Sequence, residues 1–400
     1  MNRPSCLGII AEYNPFHNGH KYQLEEAKRI SGAQHIIVCM SASFVQRGEP
    51  ACADKYVRTQ WALEGGADMV IELPDVLSVS CAERFATGGI KLLNSTGLIS
   101  GICFGSETGD ISMLRRAANA EPNKAVLKEA LADGHSYPVA KCNALAANGI
   151  DISIHAPNDL LGIEYLRAIT KLAPSLKAFA IKRIGSGYND KVSKGEYASA
   201  TAIRALFDQV TPAHIDALPQ FIRESVQTQM DLGKMPVSLE ALSSPIIYSL
   251  RKLGTNGISN LAEVSEGLEN LIFRAAQSCG NFDELLTSIK TKRYTLSRLK
   301  RILVNALLGT TSNLQNLALS IPDALYIRVL GIRKESIHLL SMLHGCASLP
   351  IVTRHSSINS LSSNAAIIFK HSALASSIRA LAQPVVKAYE DEFSSALVIV

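Results

Sequence analysis

Short apolar runs alternate with amphipathic stretches through the first half of the chain. Residues 7–11, 35–40, 69–73 and 99–104 are dense in β-branched and other apolar side chains and end at polar or turn residues, the pattern of buried strands. Between them, residues 21–30, 55–64 and 82–94 place apolar positions at helical spacing. That alternation predicts βαβ units and a parallel sheet. Residues 150–154 and 178–182 are further strand candidates, with a helix over 160–172 between them. After about Ala205 the strand signal fades. Segments 238–252, 261–279 and 285–308 carry helical spacing broken by Pro, Gly and Asn. Residues 353–382 leave room for a small α/β piece, and 396–400 read as a short last strand. The expected fold class is α/β. A Rossmann-like parallel-sheet domain is expected over 1–205, and a mostly helical basic domain over 206–400.

Composition narrows the class. The chain has 400 residues, 47% hydrophobic and 19% charged, which fits a soluble globular protein with a sizeable core. No apolar run approaches the ~20 residues that cross a bilayer, and Met1-Asn2-Arg3-Pro4-Ser5 lacks a signal-peptide layout. A cytoplasmic location without membrane contact is expected. Eight scattered cysteines form no Cys-x-x-Cys pair, so neither a structural metal site nor a disulfide framework is expected. The net charge of +5 is uneven. Residues 285–400 hold 13 basic and five acidic side chains, and the preceding 284 hold 27 and 30. A basic rear behind a slightly acidic front suits a polyanion at the rear.

The candidate chemistry begins after the first strand. The turn at Asn14-Pro15 leads into His17-Asn18-Gly19-His20 and then a helix opening with Lys21, Tyr22 and Gln23. A strand feeding a helix through a Gly-containing turn aims backbone N–H groups at a phosphate above the sheet. His17 and His20 add cationic donors there; the bland alternative is a histidine serving as a neutral helix cap. After the second strand, Ser41, Ser43, Gln46 and Arg47 could hold a small carboxylate or a phosphate, or form an ordinary polar loop. Gly105 after the fourth strand permits close approach of a ligand ring or ribose, or is a turn glycine before a capping Ser106. Asn158 and Asp159 either cap a helix or meet an adenine or ribose. Arg183, the Gly185–Tyr188 stretch, and Ser199, Thr201 and Arg204 at a helix start together suggest a cradle for β,γ-phosphates.

In the rear, Lys290, Lys292, Arg293, Arg298, Lys300 and Arg301 fall in an interval, 285–322, that contains no acid. Helical geometry puts Leu296, Leu299, Leu303 and Leu307 on one buried side and Arg293, Lys300 and Arg301 largely on the wet one. Such a face suits RNA phosphates, or is simply solvated.

These blocks resemble, over almost the full length, the bacterial tRNA(Met) cytidine acetate ligase family of the His-x-Gly-His nucleotidyltransferase superfamily. The resemblance rests on Ala11-Glu12-Tyr13-Asn14-Pro15-Phe16-His17-Asn18-Gly19-His20, on the segments 44–50, 68–74, 104–107, 161–165 and 294–301, and on Ser-x-Thr-x-x-Arg at 199–204. It implies ATP as substrate, magnesium accompanying it without a protein ligand that can be named, acetate, and elongator tRNA(Met), with no stable protein partner. Acetyl-adenylate would form and acetylate the exocyclic amine of the wobble cytidine. ATP contacts are implied along Ile10, Ala11, Glu12, Tyr13, Asn14, Pro15, Phe16, His17, Asn18, Gly19, His20, Lys21, Tyr22 and Gln23, and at Gly105, Asn158 and Arg183. Ala42 stands where the family commonly has Gly, and Asp159 where a second Asn is common, which favours Asn158 over Asp159 as a ligand. Two other readings remain open: a small-molecule adenylyltransferase with the same front, and a non-catalytic nucleotide-sensing RNA-binding protein.

Overall fold

A computed structural model describes residues 5–184, 199–207, 216–265, 267–386, 392 and 396–400. Ten strands are present among them: β1 Cys6–Ala11, β2 His35–Ser41, β3 Phe44–Val45, β4 Glu49–Pro50, β5 Met69–Leu73, β6 Ile99–Ser106, β7 Lys177–Lys182, β8 Ile327–Ile332, β9 Ile351–Val352 and β10 Val398–Ile399. The order across the main sheet is β10-β8-β5-β2-β1-β6-β7, with β9 beside β8; β3 and β4 form a separate hairpin. The five front strands β5, β2, β1, β6 and β7 run parallel. The strand order reverses at β1, which pairs with both β2 and β6. In open α/β sheets, ligands bind above the carboxyl ends of the strands at such a reversal.

Side-chain alternation along the strands builds a core on each face. On β2, Ile37 and Cys39 join a cluster with Phe85, Ile90, Phe104 and Leu166, while Ile36, Val38 and Met40 join Leu24, Trp61 and Leu330 on the other face. Burial on both faces explains why these strands read as continuous apolar runs. A third core fills the rear helices, and Phe44 of the hairpin and Val79 pack into it.

The strands at 69–73 and the helix Lys55–Glu64 match their expected limits, and the other front elements differ by a few residues at their ends. Residues 150–154 form no strand. Their apolar–polar alternation mimics one, but β7 already pairs with β6, and Ile152 packs into the core from an irregular segment that follows the helix Tyr137–Ala146. The expected helix over 285–308 is two helices, Phe282–Ile289 and Leu296–Leu308, the second capped by Thr295. The rear is mostly helical, yet β8 pairs antiparallel with β5 and carries β9 and β10 on its far side. The expected boundary at 205 therefore does not separate the sheet from the helices, because chain beyond it completes the sheet.

Candidate active site

The loop leaving β1 is a buried scaffold. Tyr13 adopts a left-handed φ of 47°, a conformation that a non-glycine residue holds only when its surroundings impose it. Its ring meets Phe16 edge-on at 4.9 Å. Asn14 Oδ1 accepts the Cys52 N–H at 2.7 Å. The Arg58 guanidinium, fully buried, donates to the carbonyls of Glu12 (2.7 Å), Ser41 (3.0 Å), Ala53 (3.0 Å) and Ala42, joining the loops after β1 and β2.

On that scaffold the two histidines stack, ring centroids 3.8 Å apart. His17 caps the helix Asn18–Ser31: its Nδ1 accepts the Gly19 N–H at 3.1 Å, while the His17 N–H donates to His20 Nδ1 at 3.3 Å. A Cβ on Gly19 would lie 2.9 Å from His17 Cε1, so only glycine permits this cap. With both Nδ1 atoms accepting, each neutral ring carries its proton on Nε2. Burial, then the charges of Arg183 and Arg204, lowers the His17 pKa to about 3; burial, His17 and Arg183 hold His20 well below the ordinary value. This corrects the expectation of cationic donors. In the ligand-free protein both rings are neutral, and the cap uses the Nδ1 of each ring rather than its Nε2.

An open cleft of about 510 Å³ is lined by His17, Gly19, His20, Tyr22, Gln23, Gly105, Ile181, Lys182, Arg183, Ile184 and Ser199. It joins the ends of β1, β6 and β7 to Ser199, whose Oγ accepts the Ala202 N–H at 3.2 Å at the start of the helix Ala200–Phe207. No carboxylate is among these lining residues. A Cβ on Gly105 would stand 3.5 Å from the Arg183 side chain, an ordinary contact, so that glycine keeps space inside the cleft rather than relieving a clash.

Other expected contacts lie elsewhere. Tyr13, Asn14, Pro15 and Phe16 are buried beneath the cleft, and Lys21 is exposed. Ser41 is buried, and the Ser43 hydroxyl meets Ser376 Oγ at 2.7 Å, so neither serine is displayed to a ligand. The Gln46 N–H donates to Glu12 Oε1 at 2.9 Å. Arg47 is half-buried and near enough to repel Arg183. Asp159 accepts the Ser106 hydroxyl and the Glu107 N–H (3.0 Å), while Glu107 accepts the Asp159 N–H (2.8 Å) and the Asn158 side-chain amide (2.5 Å). Both carboxylates thus brace the loop after β6 against the helix Pro157–Leu172, and Asn158 is outside the cleft lining. Asp110, not Ser106, caps the next helix. Thr201 is exposed. Arg204 donates to the Asn14 carbonyl (2.7 Å) and to Glu49 (3.1 Å) behind the cleft. Gly185–Tyr188 lies outside the described residues.

The rear cations divide. Arg301, expected on the wet face, is buried: Nε and one amino group hold Glu263 at 2.7 Å each, and the other donates to the Gln46 carbonyl at 3.2 Å. Arg298 bonds the Glu263 carbonyl (2.7 Å) and Ser265 (2.7 Å), and Lys300 bonds Glu49 (2.6 Å). Leu296, expected inside, is exposed. Leu299 and Leu303 are buried as expected and Leu307 packs against the same core; Arg301 is drawn inside because it docks Glu263 and the β3–β4 hairpin. Lys290, Lys292 and Arg293 lie exposed around the break before it. The pairing of Glu49, Glu263 and Glu107 is not legible in the sequence, since each partner is tens to hundreds of residues away.

The reversed strand order, the His-x-Gly-His helix start and the cleft lined by His17, His20 and Arg183 define a nucleotidyltransferase-type site, and the family model described as HIGH Nucleotidyl Transferase matches residues 5–393. A tRNA(Met) cytidine acetate ligase of Acetivibrio thermocellus is 40% identical over 363 residues, 87% of this chain and 88% of that protein. Crystal structures of Thermotoga maritima TmcAL superpose with TM-scores of 0.92 for an apo form and 0.90 for a form bound with alpha-thio ATP, each at 30% identity and covering 99% of both chains. The chain belongs to the tRNA(Met) cytidine acetate ligase family.

Proposed function

We propose that this protein joins acetate to ATP and passes the acetyl group to the exocyclic amine of the wobble cytidine of elongator tRNA(Met). In the first step an acetate oxygen attacks the α-phosphorus, the bond to the β-phosphate oxygen breaks, and pyrophosphate leaves. In the second, the cytidine amine attacks the acetyl carbon, AMP departs with the bonding pair, and the amine loses a proton. The mixed anhydride activates the acetyl group, so no protein nucleophile is needed. The observation that carries the reading is the cleft lined by His17, His20, Arg183 and the starts of two helices.

Charge builds on the departing pyrophosphate, and catalysis there is mainly positioning and stabilisation of that charge. His17 and His20 would donate to phosphate oxygens, and Ser199 and Arg183 would hold the tail. Arg47, beside Arg183, is the better candidate of the β2 loop for the acetate carboxylate. Among the described residues there is no group of three or more His, Cys, Asp or Glu able to hold a metal ion. Magnesium accompanying ATP would be held mainly by the phosphates. RNA contact is sought at Lys290, Lys292 and Arg293, where binding should weaken as salt rises. No helix among the described residues is long and apolar enough to cross a membrane; the reading places the protein in the cytoplasm with its RNA.

Incubation with ATP, labelled acetate and total tRNA, followed by nucleoside analysis, tests the reading. Label in acetylated cytidine is expected. Label in a small adenylylated product instead would favour a cofactor-type adenylyltransferase, and no ATP turnover would favour a nucleotide-sensing RNA binder.

A further inference from the structure

We infer that Glu49 is a positioning residue through which the rear helix sets the charge felt by the triphosphate. The inference rests on the ATP-dependent reading above and extends it. Glu49 lies in the β3–β4 hairpin between two cations from distant parts of the chain. Its Oε2 accepts from Arg204 at 3.1 Å and its Oε1 from Lys300 Nζ at 2.6 Å. All three side chains are only about one-fifth exposed, at 20%, 23% and 22%. Arg204 also holds the Asn14 carbonyl in the loop that carries the histidines, and its charge reaches His17. On the other side the hairpin sits directly on the helix Leu296–Leu308. Gly48 has a φ of 69°, and a Cβ there would lie 2.4 Å from the Arg301 backbone nitrogen. Arg301 in turn donates to the Gln46 carbonyl.

The result is a chain of three charges, Lys300–Glu49–Arg204, ending behind the cleft. Glu49 offsets part of the Arg204 charge that a triphosphate would feel, and Lys300 offsets part of Glu49. Loss of Lys300 and loss of Glu49 should therefore move ATP affinity in opposite directions, which a purely structural role cannot do. An RNA phosphate drawing Lys300 away from Glu49 would act like loss of Lys300 and loosen the nucleotide's tail. By linkage, bound ATP would weaken that RNA contact equally.

The test is acetate-dependent pyrophosphate exchange without RNA, with ATP varied. Lys300→Met should raise the KM for ATP by about two- to fivefold, the range of partly exposed ion pairs. Glu49→Gln should lower it by a similar factor, and the double variant should resemble Glu49→Gln, because Lys300 acts through Glu49. Lys300→Arg should restore the parent value. Both single variants raising KM, or Lys300→Met leaving it unmoved, would overturn the inference. If Glu49→Gln proves unstable, the Lys300→Met and Lys300→Arg pair decides alone. Failure of the parent protein to exchange pyrophosphate at all would instead remove the ATP-dependent reading.

Discussion

The cleft and a buried ionic cluster in the sheet use similar side chains with opposite charge balance. In the cluster, Lys55 has no exposed side-chain surface and bonds Glu72 at 2.6 Å and also Glu392. Arg328 reaches Glu392 at 2.7 Å and the Tyr56 hydroxyl at 2.7 Å, and lies 4.8 Å from the Phe369 ring centroid. Burial would favour neutral forms, but Lys55 and Arg328 hold the Glu392 pKa down to about 2, and the two carboxylates raise that of Lys55. Two cations and two anions cancel, so the cluster asks nothing of a ligand. The cleft gathers Lys182, Arg183 and imidazole donors with no acid in its lining. Glu107, in the loop after β6, offsets part of the Arg183 charge, and the remaining surplus of donors suits an anion from outside. Balanced charge here marks a fold element, and unbalanced charge marks a site.

The comparison can be broken at either end. Lys55→Met should be the costliest change for the fold, because it leaves buried carboxylates short of a cation. A loss of about 3–5 kcal/mol is expected in denaturant unfolding, and an unchanged midpoint would mean that the cluster is not held by its charges. His20→Ala should keep the melting temperature while acetate-dependent pyrophosphate exchange falls on the order of 100-fold, as when one preorganised donor is removed. Normal exchange would take the histidines out of the chemistry. Gly105→Ala meets no clash in the free protein, so stability should hold while the KM for ATP rises about tenfold from overfilling the cleft. A fall in stability with normal KM would make Gly105 a turn residue only.

The smallest effect is on pH dependence. Burial lowers the pKa of His17 in the folded protein from the ordinary 6.5 to about 3. Below 6.5 the unfolded chain takes up a proton that the native ring refuses. The His17 contribution is thus complete above pH 6.5 and is lost as pH falls from 6.5 toward 3. Comparing the ligand-free protein with His17→Asn should show the parent losing more stability across that window. Equal slopes would mean that His17 titrates normally in the fold.

The legible parts of the sequence were those whose partners are local or periodic. The parallel strands were visible because burial on both faces leaves unbroken apolar runs, and the His17–His20 turn because strand, turn and helix are contiguous. β8 was missed although all six of its residues are buried, because it pairs antiparallel with a strand more than 250 residues earlier. The helix Leu296–Leu308 keeps its apolar stripe at Leu299 and Leu303 but departs from it at two positions for a related reason. Helical spacing gives the apolar stripe, but docking on the hairpin draws Arg301 inside to Glu263 and leaves Leu296 outside. Asp159 illustrates the same limit: its carboxylate serves N–H groups 51 and 52 residues away rather than its own helix.

The central claim is that the amino-terminal imidazoles and Arg183, from distant strand ends, face one triphosphate. Binding of adenosine 5′-(α,β-methylene)triphosphate to the parent protein, His20→Ala, Arg183→Ala and the double variant tests it by calorimetry. Each single change should weaken binding, and the double change should cost measurably less or more than the sum, since residues sharing one ligand couple. Unaltered binding by Arg183→Ala, or strict additivity of the two losses, would contradict a shared triphosphate site.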